Sequence, residues 1–336
     1  MIFKKSDATV LAPDADRAVS SSTLWNPASR AEPIGLTSAT LAVAIAAVWG
    51  GNVVALKIGL DTFPPFWTGL WRMSTGAMVV GFWARLRGIS LKPQPGELRF
   101  LLALGLLFTV QIAGLNLGVD LTSPAFGVVL INSHPLFANF IGHFVVKEDR
   151  LSWPRLCGLT LAFGGICLVF LGEPSAELAS RPILGNLIVT SSGLLLGLRT
   201  VYTQRLVQSI PPERPVFWQM LISLPCFLLA GLLWEQPVLK PIDAEAVWAI
   251  LYQGVAVAGL CFIVWTALLT RHSPGSLSFF AFPTPIFGVL ASAWVYGEAL
   301  TARLWLGLAA VTVGIWIATR RQTPAATSPE FRGVTQ

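Results

Sequence analysis

The chain has 336 residues, of which 54% are hydrophobic and only 12% are charged, and its mean hydropathy is +0.67. Soluble proteins carry about 25% charged residues, so this composition excludes a pair of soluble domains. The formal charge of +6 does not indicate nucleic-acid binding, because the basic residues are scattered beside apolar runs. The sequence therefore predicts an all-α membrane protein that binds no nucleic acid.

The chain begins with residues 1–35, which are rich in Ser, Ala, Pro and charge and contain no apolar core of a signal peptide. We predict that residues 1–35 form a disordered tail and that residues 322–336 form a second tail. Between them lie ten apolar stretches, and a helix of about 20 residues crosses a bilayer core of about 30 Å. The predicted spans are 36–56, 65–84, 99–118, 124–146, 154–171, 186–206, 215–234, 249–268, 274–296 and 304–321.

The loops between these spans differ in their content of lysine and arginine. With the N-terminus inside, seventeen of the 23 basic residues fall on the inner side. Cytoplasmic loops carry an excess of basic residues, so this alternation predicts a multi-pass protein of the inner (plasma) membrane with both tails cytoplasmic. The other six are Lys57, Arg181, Lys240 and Arg303 outside, and Arg72 and Arg199 within spans.

The two halves of the chain resemble each other at a shift of 150 residues. Because each copy has five spans, an odd number, the copies must cross the membrane in opposite senses. We predict ten transmembrane helices as two inverted five-helix repeats, at 36–171 and 186–321. The coinciding positions are Pro65 and Pro215, Ser123-Pro124 and Ser273-Pro274, Pro135 and Pro285, Phe137 and Phe287, Glu148 and Glu298, and Gly164 and Gly314.

Pro135 lies about 11 residues into its predicted span, roughly 16 Å deep and near the midplane of the membrane, and Pro285 lies at the equivalent depth. Each proline removes a backbone donor, and paired helix breaks point to a central binding site. Simple kinks for packing are the alternative. The neighbouring polar residues Asn132, His134 and Ser278 favour a path for a solute.

Arg72 lies about 10 Å inside its predicted span, where an ionised side chain is costly unless it is paired or hydrated. Two roles are open: it binds a carboxylate or other anionic group of a substrate, or it joins helices through carbonyl contacts. In the sixth span Arg199 and Tyr202 share a face, and with Trp49 and Asn52 they are predicted to form a second side of the site.

Four further polar or aromatic residues have two interpretations each. Gln111 and Asn116 line the site or make interhelical hydrogen bonds, Trp265 contacts an apolar solute or packs in the core, and His134 carries a proton or packs. The candidate substrate-binding residues are Trp49, Asn52, Arg72, Gln111, Asn116, Asn132, His134, Pro135, Arg199, Tyr202, Trp265, Ser278 and Pro285.

Catalytic and cofactor motifs are missing from the sequence. There is no G-x-x-x-x-G-K-[ST], H-E-x-x-H or G-x-S-x-G pattern, and Glu148 and Glu298 are predicted on opposite faces of the membrane. The four cysteines lie in apolar runs without metal-ligand spacing. We therefore expect no catalytic residue, metal or cofactor. The expected partners are a small-molecule solute, the lipid bilayer and, with a proton-carrying histidine, protons.

Several motifs together resemble the EamA family of the drug/metabolite transporter superfamily over residues 36 to 320. They are Trp49-Gly50 followed by Lys57, Arg72, the run from Pro135 to Glu148 repeated from Pro285 to Glu298, Gly164-Gly165 and Gly314. The resemblance implies a ten-helix inverted-repeat transporter, often an exporter of amino acids or other small metabolites in bacterial members. At the shift of 150, Arg199-Thr200 stand where the first copy has Trp49-Gly50.

The leading hypothesis is secondary transport, with export of amino acids or similar metabolites through a central cavity between the repeats. Its motivation is the inverted duplication with prolines at the midplane. Two alternatives are a membrane-embedded enzyme acting on lipid-like substrates, because of the arginines and histidines within spans, and a non-transporting receptor or scaffold.

Overall fold

A computed structural model describes residues 34–145, 153–174, 176–207, 209–236, 241–269, 272, 280 and 282–319. All regular elements among these residues are helical. Residues 1–33, the predicted tail at 322–336, Glu148 and Ser278 lie outside the described part of the chain. The helices are α1 Leu36–Thr62, α2 Pro65–Leu86, α3 Leu98–Leu121, α4 Pro124–Ile131, α5 His134–Val145, α6 Trp153–Phe170, α7 Pro182–Leu206, α8 Glu213–Trp234, α9 Ala244–Leu251, a π-helical segment Tyr252–Cys261, α10 Phe262–Leu269, α11 Thr284–Tyr296 and α12 Ala302–Thr319.

The length and composition of these helices are those of a membrane protein. In the described part of the chain, six helical stretches are long and apolar enough to cross a bilayer: Leu36–Thr62, Leu98–Leu121, Pro124–Ile141, Pro182–Leu206, Glu213–Trp234 and Ala244–Trp265. Shorter apolar helices cover Leu156–Phe170, Thr284–Tyr296 and Ala302–Ala318. Large apolar side chains such as Trp294, which is 87% exposed, cover the outside of the bundle, as expected where lipid is the solvent.

α1 is longer than the predicted span, so Lys57 lies inside the helix and not in an outer loop. Its ammonium group is buried and donates hydrogen bonds to the carbonyl oxygens of Val119, Asp120 and Thr122, at 3.0, 3.0 and 3.1 Å. The last carbonyls of a helix have no intrahelical donors and carry partial negative charge. The C-terminus of α3 therefore stabilises the positive charge of Lys57 inside α1, which continues to Thr62.

The predicted fourth span is two helices separated by a turn at Asn132-Ser133. A second turn at Phe282-Pro283 precedes α11, so α5 and α11 begin at His134 and Thr284, 150 residues apart. Each helix has a proline at its second residue. A proline ring inside a continuous helix would clash with the carbonyl four residues earlier, whereas the first turn tolerates it.

The packing of the helices repeats between the two halves. α3 of the first half packs along α7 and α8 of the second, and the α9–α10 stretch of the second half packs along α1 and α2 of the first. α2 packs on α8 and α6 on α12, and each of these two pairs joins corresponding helices. α4 also packs on α11, which is the counterpart of α5. The largest apolar cluster links α1, α3, α4, α6, α7, α11 and α12, and a second one links α2, α3 and α8.

Glycines allow several of these helices to approach closely, as the predicted Gly114-x-x-x-Gly118 and Gly193-x-x-x-Gly197 patterns suggest. A Cβ atom built on Gly118 would lie 2.9 Å from the backbone nitrogen of Val189 in α7. One built on Gly197 would lie 2.9 Å from the carbonyl oxygen of His134. Neither site can hold a larger residue without movement of a backbone.

The register between the first helices of the two halves differs from the predicted shift of 150. A Cβ atom on Gly50 would meet the Thr284 carbonyl oxygen, the Phe287 Cβ and the Gly288 nitrogen. A Cβ atom on Gly197 would meet the His134 carbonyl oxygen, the Phe137 Cβ and the Ala138 nitrogen. These three residues lie 150 positions before Thr284, Phe287 and Gly288. Gly50 therefore corresponds to Gly197, 147 residues later, and Asn52, rather than Trp49, corresponds to Arg199.

Candidate functional site

A cavity of about 620 Å³ lies at the centre of the bundle, where the turns before α5 and α11 meet α1, α2, α3, α7, α10 and α12. Sites for small organic molecules commonly measure about 300–1,000 Å³. The cavity is lined by Trp49, Asn52, Val53, Arg72, Gln111, Ile112, Leu115, Ile131, Asn132, His134, Pro135, Leu196, Arg199, Thr200, Val257, Trp265, Phe282, Thr284, Pro285, Val311, Thr312 and Ile315.

Ten of the thirteen candidate binding residues line this one cavity: Trp49, Asn52, Arg72, Gln111, Asn132, His134, Pro135, Arg199, Trp265 and Pro285. Their role in binding a substrate stays a prediction. Asn116 and Tyr202 are not among the lining residues. Ser278 lies outside the described residues.

Asn116 and Tyr202 bond to backbone carbonyls instead. The Asn116 amide donates to the carbonyl oxygen of Pro65 at 2.9 Å, and the Tyr202 hydroxyl donates to that of Phe100 at 3.2 Å. Both bonds join neighbouring helices, which favours the interhelical alternative for Asn116 and places Tyr202 in a bond between helices, away from the side of the site predicted for it. Helical periodicity identifies the face on which a residue lies but not the carbonyl that its side chain reaches.

The two helix breaks bring polar groups to the cavity. The Asn132 amide donates to the Val128 carbonyl at 2.8 Å. His134 Nδ1 lies 3.2 Å from the Ile131 carbonyl oxygen, and because that oxygen can only accept, Nδ1 carries the proton. The N-termini of α5 and α11 both lie at the cavity, and the unpaired N–H groups of a helix N-terminus make it electropositive.

Two arginines from different halves add formal positive charge. Arg72 is only 5% exposed, and its Nε and Nη1 atoms have no hydrogen-bond partner in the described part of the protein. The guanidinium of Arg199 lies over the ring of Phe108, 4.9 Å from the ring centre, in a cation–π contact. Among the described residues, no aspartate or glutamate lines the cavity.

Several oxygen acceptors at the cavity also lack partners. The Gln111 amide nitrogen donates to the Ser192 hydroxyl at 3.1 Å, and its amide oxygen is buried and has no partner among the residues that the structure describes. The side-chain oxygens of Asn52, Thr284 and Thr312 are likewise buried without a partner in the described residues. Buried polar atoms are nearly always hydrogen-bonded, so such a group of unpaired atoms is typical of a site that receives water or a ligand.

An aromatic surface completes the cavity. The rings of Trp49 and Trp265 are 5.2 Å apart at an angle of 58°, and Phe282 lies nearby in the lining. The candidate list lacks Phe282, Thr284, Thr200 and Thr312. The shift of 150 could have identified the first two, which correspond to Asn132 and His134, whereas no signal in the sequence marks Thr312.

Glu298 forms a separate polar cluster away from the cavity. The sequence predicts that it stabilises the joint between the last two helices of its own half. Its carboxylate does accept a hydrogen bond from Ser292 at 2.7 Å, but it also accepts from the Ser123 hydroxyl and from the Ala125 backbone nitrogen at 3.1 Å. It thus caps the N-terminus of α4, in the other half of the chain.

The fold and cavity define an all-helical multi-pass membrane protein with a central site large enough for a small solute. Residues 36–171 and 183–320 each match the EamA-like transporter family. The chain therefore belongs to the EamA-like transporter family, a family of membrane transporters.

Several known proteins similar to this chain carry transporter names. It is 27% identical to a "Probable amino-acid metabolite efflux pump" of Salmonella typhimurium, over 82% of this chain and 93% of that protein. It is 23% identical to the "Uncharacterized transporter YoaV" of Bacillus subtilis, over 85% and 96%. A solved crystal structure shares the fold with a TM-score of 0.61 and 21% identity, over 84% of this chain and 96% of that one.

Proposed function

We propose that this protein is a secondary transporter that exports amino acids or similar small metabolites through its central cavity. The observation that carries the proposal is the pair of turns at Asn132-Ser133 and Phe282-Pro283, which border one cavity and are related by the repeat. In secondary transporters, discontinuous helices of inverted repeats form the substrate site near the midplane. The name of the Salmonella relative supports amino-acid metabolites as the substrate class.

The proposed architecture has ten spans in two inverted repeats, at 36–171 and 186–321. The recurring helix packing supports it, since the contact of α3 in the first half with α7 in the second corresponds to the contact of the α9–α10 stretch in the second half with α1 in the first. Two copies with opposite orientation let one set of contacts form inward-open and outward-open states. Both tails are proposed to be cytoplasmic, from the positions of the basic residues.

The topology can be tested with reporter fusions. Fusions after Arg99, Leu178 and Gln336 are expected to report an inside, an outside and an inside location. A single reversed position would contradict either the number of spans or the orientation.

Transport can be tested in proteoliposomes by counterflow. Vesicles loaded with an unlabelled amino acid or metabolite take up the labelled solute only if the protein carries it in both directions. We expect uptake above that of protein-free vesicles for at least one member of a broad panel. No uptake for any member would contradict transport, whereas conversion of the solute in detergent would favour the membrane-enzyme alternative.

The role of the cavity can be tested with two neighbouring residues of α12. Thr312 lines the cavity, whereas Val313 is 45% exposed on the outside of the bundle. We expect Thr312→Trp to abolish counterflow by filling the cavity, and Val313→Trp to leave it unchanged. Equal effects of the two substitutions would contradict a path through this cavity.

A further inference from the structure

We propose that the cavity selects monocarboxylates with an apolar or aromatic body over solutes that carry an ammonium group. This inference rests on the proposed transport through the cavity and narrows the substrate class. Among small metabolites it favours carboxylates without an amino group over amino acids, which carry an ammonium group as well as a carboxylate. Its basis is an excess of positive charge at the cavity, together with hydrogen-bond donors that have no acceptor there.

The charge balance of the lining is the first argument. Arg72 and Arg199 both line the cavity, and no carboxylate is among the lining residues that the structure describes. The cation–π contact of Arg199 with Phe108 leaves its formal charge in place. At low dielectric two uncompensated guanidinium groups repel an ammonium ion and attract an anion.

The unpaired donors of Arg72 are the second argument. Its side chain is 5% exposed, and its Nε and Nη1 atoms have no acceptor among the described residues. A guanidinium group has donors only, and its charge-assisted hydrogen bonds to a carboxylate are among the strongest in proteins. A carboxylate in the cavity would supply both the missing acceptors and the missing negative charge.

The N-termini of α5 and α11 add further positive potential at the cavity. α5 and α11, of 12 and 13 residues, both begin at the cavity, at His134 and Thr284. Their N-termini are the positive ends of the helix dipoles. Four independent sources of positive potential, two side chains and two helix termini, thus converge on one site.

The rest of the lining determines the body of the solute. Trp49, Trp265 and Phe282 offer an aromatic surface, which suits a ring or an alkyl chain. The unpaired oxygens of Asn52 and Gln111 are neutral acceptors, suited to a hydroxyl or amide group of the solute. They do not offset the repulsion of an ammonium ion by two arginines.

Three probes that share a phenyl ring test this charge preference. 3-Phenylpropionate carries only a carboxylate, phenethylamine carries only an ammonium group, and phenylalanine carries both. Binding to the full-length protein in detergent is measured by isothermal titration calorimetry. We expect 3-phenylpropionate to bind at least about tenfold more tightly than phenethylamine, with phenylalanine between them. Equal or tighter binding of phenethylamine, or no binding of any probe, would overturn the inference.

Variants of Arg72 test whether its guanidinium group causes the preference for a carboxylate. Arg72→Gln is expected to weaken 3-phenylpropionate binding about tenfold or more and to remove the preference, whereas Arg72→Lys retains part of it. The matched control is Arg87→Gln, since Arg87 is exposed at the end of α2. Size-exclusion profiles and unfolding temperatures check that each variant folds. A folded Arg72→Gln protein with unchanged selectivity would overturn the inference.

The same probes in proteoliposomes separate the two proposals. Faster flux of phenethylamine than of 3-phenylpropionate would overturn the charge preference and leave transport intact. Selective binding without flux of any solute would support the carboxylate site and contradict transport.

Discussion

Gly50 in α1 and Gly197 in α7 make the same helix crossing in opposite halves of the chain. A Cβ atom on Gly50 would lie 2.6 Å from the Thr284 carbonyl oxygen, and one on Gly197 would lie 2.9 Å from the His134 carbonyl oxygen. Thr284 and His134 are the first residues of α11 and α5, and both line the cavity. The two crossings therefore hold the helix breaks in place on either side of the candidate site.

The first prediction concerns these crossings. Gly197→Ala is expected to lower stability by about 1–3 kcal/mol, because the added methyl group meets backbone atoms that must move apart. Gly164→Ala is the matched control: a Cβ atom there meets nothing within 4 Å, so it is expected to be neutral or stabilising by up to about 1 kcal/mol. Thermal unfolding of the purified proteins measures the difference. Equal unfolding temperatures for both variants would contradict the close crossing.

The second prediction concerns the link made by Glu298. Glu298→Gln is expected to destabilise the protein by about 1–3 kcal/mol, because an amide cannot accept all three hydrogen bonds of the buried carboxylate. Glu177→Gln, at an exposed position, is the control and should change stability by less than about 0.5 kcal/mol. The measurement is thermal unfolding at neutral pH, and an unaffected Glu298→Gln protein would contradict the cap on α4.

The third prediction is a pH dependence at Glu235, just after α8. Its carboxylate accepts hydrogen bonds from the backbone nitrogens of Phe66 and Trp67 at 2.7 and 3.1 Å. Burial raises the pKa of Glu235 above its ordinary value of 4.5, and the two backbone hydrogen bonds partly oppose this. The folded protein therefore keeps Glu235 protonated to a higher pH than the unfolded chain does. The stability that the protonated Glu235 side chain contributes is lost as the pH rises from 4.5 through the pKa of the folded state.

Unfolding temperatures measured across this pH range test the prediction. The parent protein is expected to show a decrease with rising pH that Glu235→Gln lacks. Identical pH profiles for the two proteins, or an increase that depends on Glu235, would contradict it.

The fourth prediction concerns the helix break before α5. Pro135→Ala is expected to slow counterflow severalfold, because alanine allows α4 to continue through the turn at Asn132-Ser133. Pro182→Ala is the control, since Pro182 begins α7 and is not among the cavity-lining residues. Initial rates in proteoliposomes with equal amounts of protein measure the effect. Equal rates for the two variants would contradict a role for the break.

Much of the fold follows from the sequence because apolar length and proline are local signals. The helices lie within a few residues of the predicted spans, except that the beginning of the predicted span 274–296 lies outside the described residues, and the turn at Asn132-Ser133 lies just before Pro135. The cavity location could also be anticipated, since repeated prolines with polar neighbours identify the interrupted helices. The burial of Lys57 does not follow from the local sequence, because it depends on carbonyl groups at the end of α3 that lie more than 60 residues away.

The sequence by itself determined an apolar chain of repeated helices, the two breaks and most of the residues that meet at the cavity. Only the tertiary structure decided the register in which Gly50 corresponds to Gly197, and Asn52 to Arg199. The physical reason is helical periodicity: a slip of three residues is nearly one turn of about 3.6, so the same face stays buried and the apolar pattern hardly changes. Contact between backbones at glycine distinguishes the two registers, because a one-turn slip replaces the glycine at the crossing with a side chain that does not fit.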